Sequence, residues 1–68
     1  MKVFQDRLRQ ERENNHFTQR DMAERIGITQ PSYIRYENGK SEPTLENLVR
    51  IAEILDVSID YLLGKSDF

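Results

Sequence analysis

The chain has 68 residues, of which 37% are apolar and 32% charged, and its formal net charge is −2. A chain of this length can enclose one small hydrophobic core, so we expect a single domain over residues 1–68. It contains no cysteine and one histidine, which excludes disulfides and thiolate metal sites and disfavours a histidine-rich metal site.

The sequence gives no sign of a membrane protein. No apolar run approaches the roughly 20 residues that cross a bilayer. The N-terminus, MKVFQDRLRQ, is charged too early to resemble a signal peptide. We therefore expect a cytoplasmic protein with no membrane partner, no metal and no other cofactor.

The charges are unevenly distributed along the chain. Residues 1–40 contain eight Lys or Arg and six Asp or Glu, a net charge of +2, whereas residues 41–68 contain two and six, a net charge of −4. Binding depends on the local electrostatic field rather than on the total charge. The first half of the chain is therefore compatible with an anionic partner.

Helical periodicity, capping residues and glycines divide the chain into five short helices. Thr18 and Asp21 are spaced as in a capping box, and Gly27 ends the helix that they open. Thr44 opens the segment with the clearest amphipathic pattern, and Ser58 opens a short last helix. No strand-like alternation is present, so we predict an all-α fold. The predicted helices cover residues 3–14, 19–26, 30–37, 45–55 and 59–63.

The third predicted helix follows the second after about three residues, a spacing typical of a helix-turn-helix. Pro31 falls in its first turn, where the missing N–H would have no intrahelical partner. Tyr33 and Tyr36 lie three residues apart on one face, which we expect to be buried. The opposite face then projects into solvent and carries Gln30, Pro31, Ile34 and Arg35.

The side chains on this outer face have the chemistry for recognising DNA bases. Gln30 can pair with adenine, Arg35 can pair with guanine, and Ile34 can pack on a thymine methyl group. An ordinary polar helix surface would show a similar pattern, so the residues alone leave both interpretations open.

The segment TQRDMAERIGITQPSYIRYENGK, together with VSIDYLLG at residues 57–64, resembles the helix-turn-helix of lambda-repressor-like and Cro-like regulators, the Xre family. The resemblance covers residues 5–64. It implies a compact five-helix domain with a central helix-turn-helix. It also implies a sequence-specific transcriptional regulator of a bacterium or phage, acting as a repressor through the third helix in the major groove.

The resemblance also implies roles for individual residues. Gln30 and Arg35 match base-reading positions, and Pro31 stands where relatives often have a polar base contact. Arg12 and Glu37 match a pair that often forms a salt bridge between the first helix and the end of the third. The residues that match contacts to the DNA backbone are Gln19, Ser32, Asn38 and Lys40.

The chain departs from the family pattern at three places. Glu11 occupies a position that is commonly leucine, and Ile34 occupies one that is often small and polar. The loop SEPT at residues 41–44 lacks the basic residues that some relatives place near the minor groove. We therefore expect specificity to depend more heavily on the third helix.

A single helix-turn-helix reads only a few base pairs, which favours a homodimer on a palindromic operator. The resemblance places the dimer contact on the C-terminal helix. The alternative is a protein-interaction module, such as an antitoxin, that uses the acidic C-terminal half as its contact surface. We expect no enzymatic activity, because no catalytic group has a partner in the sequence and His16 is best interpreted as a surface turn residue.

Overall fold

The computed structural model describes all residues, Met1–Phe68, and they form five α-helices and no strand. The helices are α1 (Lys2–Asn14), α2 (Gln19–Ile26), α3 (Gln30–Asn38), α4 (Leu45–Leu55) and α5 (Ile59–Leu62). The predicted all-α, five-helix fold is confirmed. Helices α2 and α4 have the bounds expected from the sequence, and each of the others differs by one residue at one end.

Hydroxyl side chains start four of the five helices. Thr18 accepts a hydrogen bond from the backbone N–H of Asp21 at 3.0 Å, and the Asp21 carboxylate accepts one from the backbone N–H of Thr18 at 2.8 Å. Together these bonds form the capping box expected from the spacing. The N-cap residues of helices α2 to α5 are Thr18, Thr29, Thr44 and Ser58.

Two glycines with left-handed backbone conformations terminate α2 and α3. Gly27 has φ 92° and Gly39 has φ 76°, both in the left-handed region that side chains disfavour. Gly27 makes the tight turn between α2 and α3. At Gly39 an added Cβ would lie 2.3 Å from the side-chain nitrogen of Gln5, so α1 lies directly against the end of α3.

The core draws apolar side chains from every helix. Tyr33 is fully buried and Tyr36 nearly so, with their ring centroids 6.3 Å apart in an edge-to-face arrangement. This pair confirms the buried face expected for α3 and leaves the opposite face in solvent. The remaining core residues are Phe4, Leu8, Met22, Ala23, Ile26, Ile51, Ala52, Leu55 and Leu62.

Helix α5 is attached to α1 by polar contacts as well as by the core. The Arg7 guanidinium lies over the Tyr61 ring, 4.3 Å from its centroid, and donates to the carbonyl of Ser66 at 2.7 Å. The Tyr61 hydroxyl donates to Glu11 at 3.1 Å. Glu11, the departure from the family's leucine, thus has a partner of its own. No helix is both long and apolar enough to cross a membrane.

Asp56 ends α4 with φ 56° and ψ 47°, and this strain gives a prediction. A left-handed conformation is costly for residues other than glycine, and the carboxylate also lies at the negative end of the helix dipole. Asp56→Gly should therefore raise the free energy of unfolding by about 1 kcal/mol, measured by urea denaturation. Asp56→Ala is the control, because it removes the charge but keeps the strain. Equal stability of the two variants would contradict this explanation.

Candidate nucleic-acid interface

Three of the four proposed base-reading side chains are exposed on α3. Gln30, Pro31 and Arg35 are exposed, whereas Ile34 is half-buried. Ile34 follows Tyr33 by one residue, a rotation of about 100° around the helix, so it lies toward the side of the outer face rather than at its centre. The expectation that Ile34 projects freely into solvent therefore needs correction: only part of its side chain is available for contact.

The residues expected to touch the DNA backbone belong to α3, to the start of α2 or to the segment just after α3. Ser32, Asn38 and Lys40 are exposed, and Gln19 is half-buried at the first position of α2. The Ser32 hydroxyl accepts a hydrogen bond from the hydroxyl of Thr29 at 2.9 Å, which holds it at the start of α3. Polar groups therefore border α3 at its start, along its length and just beyond its end.

Most cations of the protein are already paired with carboxylates. Six of the ten Lys and Arg residues have a carboxylate within 4.0 Å. Of the other four, Arg25 lies over the ring of Phe17, 4.2 Å from its centroid. Arg35 and Lys40 both lie at the end of α3, where Arg35 donates to the Lys40 carbonyl at 3.2 Å. The fourth is Lys65. Two of the four unpaired cations thus lie at the C-terminal end of α3, Arg35 within the helix and Lys40 two residues beyond it.

Beneath this face, Arg12 and Glu37 form a buried ion pair. Arg12 Nε donates to Glu37 Oε2 at 2.7 Å, and Arg12 Nη2 donates to Glu37 Oε1 at 3.2 Å. Arg12 Nη1 also donates to the Phe17 carbonyl at 3.0 Å. The pair that the family resemblance suggested is therefore present, and it joins α1 to the last turn of α3.

Two further groups donate to the same carboxylate, and sequence analysis did not identify them. The Tyr33 hydroxyl donates to Glu37 Oε2, and Gln19 Nε2 donates to Glu37 Oε1 at 3.2 Å. The spacing of four residues between Tyr33 and Glu37 was a usable signal for the first contact. The second joins residues 18 positions apart and left no local signal.

This arrangement determines the charge state of the buried groups. Burial raises the pKa of Glu37, but the hydrogen bonds from Arg12, Tyr33 and Gln19 outweigh it and hold the pKa below the ordinary value. Burial and the bond to Glu37 raise the pKa of Tyr33, so its hydroxyl remains a donor. The carboxylate is ionised, and every partner donates to it. No group of His, Cys, Asp and Glu side chains is arranged to hold a metal ion.

Comparison with known proteins agrees with this architecture. A family model described as Helix-turn-helix matches residues 8–62. The chain belongs to this helix-turn-helix family. It is 46% identical over 66 residues to the Bacillus subtilis (strain 168) protein named uncharacterized HTH-type transcriptional regulator YqaE. It is 48% identical over 65 residues to RstR, named as a transcriptional repressor of the cryptic phage CTXphi in Vibrio cholerae. Each match covers 96% of this chain but only 57% of the relative.

A solved structure of this helix-turn-helix type has the same fold. The P22 c2 repressor, crystallised with a synthetic operator, superposes with a TM-score of 0.88 and 26% sequence identity. The match covers 97% of this chain and 100% of that chain. The lambda-repressor-like fold and the family resemblance are thereby confirmed.

The buried ion pair predicts a pH-dependent loss of stability. Arg12→Met leaves a carboxylate that is 2% exposed without its cation, so we expect the free energy of unfolding to fall by about 3–5 kcal/mol at neutral pH. The folded-state pKa of Glu37 is depressed, so its contribution is complete above the ordinary value of 4.5 and disappears as pH falls through the folded value. The deficit of the variant should shrink over that acidic range.

Urea unfolding of both proteins between pH 7 and pH 3 would measure this effect. Arg20→Met is the control, because it breaks an exposed pair with Glu24 and should change stability by less than about 1 kcal/mol. A deficit for Arg12→Met that is small, or that does not vary with pH, would show that the buried pair does not stabilise the fold.

Proposed function

We propose that this chain binds operator DNA as a transcriptional regulator, with α3 in the major groove, and that it acts as a repressor. The observation that carries the proposal is the outer face and C-terminal end of α3, where Arg35 and, just beyond the helix, Lys40 are exposed cations without a carboxylate partner. The names of YqaE and RstR and the operator-bound P22 c2 repressor support it. The chain spans only 57% of the length of each of those two relatives, so the regulatory activity of the whole protein is a proposal.

Each residue on the outer face has a distinct proposed role. Arg35 would pair with guanine and Gln30 with adenine through their forked donor and acceptor groups. The exposed part of Ile34 would pack on a thymine methyl group. Pro31 has no N–H to donate, so its contact would depend on shape alone.

The surrounding polar residues would set the position of α3 on the duplex. Lys40 supplies a charged contact to phosphate, and Ser32 and Asn38 supply neutral ones. Gln19 lies at the start of α2, where backbone N–H groups and the helix dipole favour an anion. Contacts to the DNA backbone are the same for every base sequence, so specificity would come from the base contacts of α3.

Repression would follow from occupancy, because a domain seated on the operator blocks polymerase from the same DNA. A DNA-binding regulator of a bacterium or phage must reach DNA in the cytoplasm, so we propose a cytoplasmic location. We also propose that the protein has no enzymatic role. We favour this function over an antitoxin-like interaction module for two reasons. The unpaired cations Arg35 and Lys40 at the end of α3 suit a nucleic acid, and the curated relatives are named as transcriptional regulators.

We also propose that the protein binds a palindromic operator as a homodimer joined through α5. One helix-turn-helix reads too few base pairs for high affinity. Leu62 is fully buried in the chain's own core, so the apolar surface that α5 and its C-cap can offer a partner is limited to the exposed parts of Ile59, Tyr61 and Leu63. Such a contact is small, so the dimer would form mainly on DNA.

Two substitutions separate base recognition from backbone binding. Arg35→Ala should cost about 1–3 kcal/mol and relax the preference at one base pair. Lys40→Ala should weaken binding to all sequences alike and reduce the salt dependence by about one counterion. Selection of bound sites from random duplex DNA and titrations at several salt concentrations measure both effects. An unchanged site preference for Arg35→Ala would refute the assignment of Arg35 as a base reader.

The dimer proposal predicts two half-sites about 34 Å apart in the selected DNA. Sedimentation should show mostly monomer without DNA and two chains on a full operator. Leu63→Ala should lower the cooperativity of binding, whereas Val49→Ala, an exposed apolar residue on α4 outside the cavity that Leu63 lines, is the control and should not. One chain bound to a non-palindromic site would contradict the proposal.

A further inference from the structure

Gln19 is held in place although it lies at the edge of the proposed interface. Its Nε2 donates to Glu37 Oε1 at 3.2 Å. An ionised carboxylate only accepts hydrogen bonds, so the amide must turn its nitrogen, and not its oxygen, toward Glu37. That nitrogen carries a second N–H, which has no partner within the chain. The orientation of a long side chain is thus decided before any ligand arrives.

The carboxylate that orients Gln19 is itself immobile. Glu37 is 3% exposed, and each of its two carboxylate oxygens accepts two hydrogen bonds. Arg12 supplies two of these bonds from α1, and Gln19 supplies one from α2. A glutamine that is free in solution loses side-chain entropy when a ligand orders it, and this loss weakens binding. Much of that cost is already met in this fold, which favours binding.

We propose that Glu37 is a positioning residue for DNA binding, holding the Gln19 amide so that its second N–H meets a backbone phosphate. This inference rests on the proposed function and adds a positioning residue to the proposed DNA-binding site. Glu37 belongs to α3 and Gln19 to α2, so one hydrogen bond fixes a phosphate contact relative to the base-reading helix. The register of α3 in the groove then depends on a residue that never touches DNA.

The sign of one measurement separates this role from a simple charge effect. Glu37→Gln removes a negative charge and leaves Arg12 without its anion. The added positive charge alone would tighten binding to DNA. Loss of the positioning contact would weaken it. Because the Gln19 contact is neutral, its loss should leave the salt dependence unchanged, unlike the loss of Lys40.

The test is a double-mutant cycle with Glu37→Gln and Gln19→Ala, measured on the selected operator at a temperature where thermal melts show each variant to be folded. We expect Glu37→Gln to weaken binding about three- to tenfold when Gln19 is present, the value of one neutral hydrogen bond. In the Gln19→Ala background it should not weaken binding at all. Tyr33→Phe is the control, since it removes one donor to Glu37 but keeps the carboxylate charge and the bond to Gln19. It should lower stability and change affinity less than twofold.

A second measurement on the unmodified protein covers the case in which Glu37→Gln does not fold. In the free protein, NMR should show the side-chain amide of Gln19 to be more rigid than that of Gln10, which is exposed on α1. Added operator should then shift the Gln19 amide signal. A Gln19 amide as mobile as that of Gln10, or tighter binding by Glu37→Gln, overturns the positioning role alone. If the unmodified protein binds no operator in the titration, the proposed function fails and this role fails with it.

Discussion

The carboxylate of Glu37 is the point on which the arrangement of three helices depends. It is buried and ionised, and it accepts hydrogen bonds from Arg12 on α1, Gln19 on α2 and Tyr33 on α3. A buried charge is tolerated only when it is paired and fully hydrogen-bonded, so each donor must be in place together. The relative placement of α1, α2 and α3 is therefore specified by polar geometry, which is more directional than apolar packing. The core itself consists of eleven hydrophobic residues, and the Glu37 interaction fixes how α1, α2 and α3 are placed relative to one another around it.

Specification of this kind matters because α3 is a short helix with two faces of different character. Tyr33 and Tyr36 pack α3 against the core. The opposite face of the helix makes no core contact that would fix its orientation. Thr29 caps the start of this helix, and Gly39 ends it with a left-handed turn. The outer face can then be polar and free of packing demands, because the orientation of the helix is already determined beneath it.

Local patterns predicted most of the fold, and long-range pairing accounts for what they missed. Hydroxyl caps, glycines and the spacing of the tyrosines act within a few residues, so the sequence displays them directly. The bond between Gln19 and Glu37 joins residues 18 positions apart, and that between Tyr61 and Glu11 joins residues 50 apart. No periodicity encodes such contacts. The half-burial of Ile34 was missed for a related reason, since a two-face description of a helix has no place for a residue at the margin.

The sparse charge of the interface gives these buried contacts a larger part in recognition. With a net charge of −2 and most cations paired, the protein has little long-range attraction for DNA. Proteins with many free cations gain affinity for any duplex from counterion release and can tolerate loosely held side chains. This one would gain affinity chiefly where several short contacts form at once. Simultaneous contacts demand side chains that are already oriented, because each one ordered on binding subtracts from a small total. A low cationic charge and a rigid polar network beneath α3 are thus two parts of one arrangement that favours specific over non-specific binding.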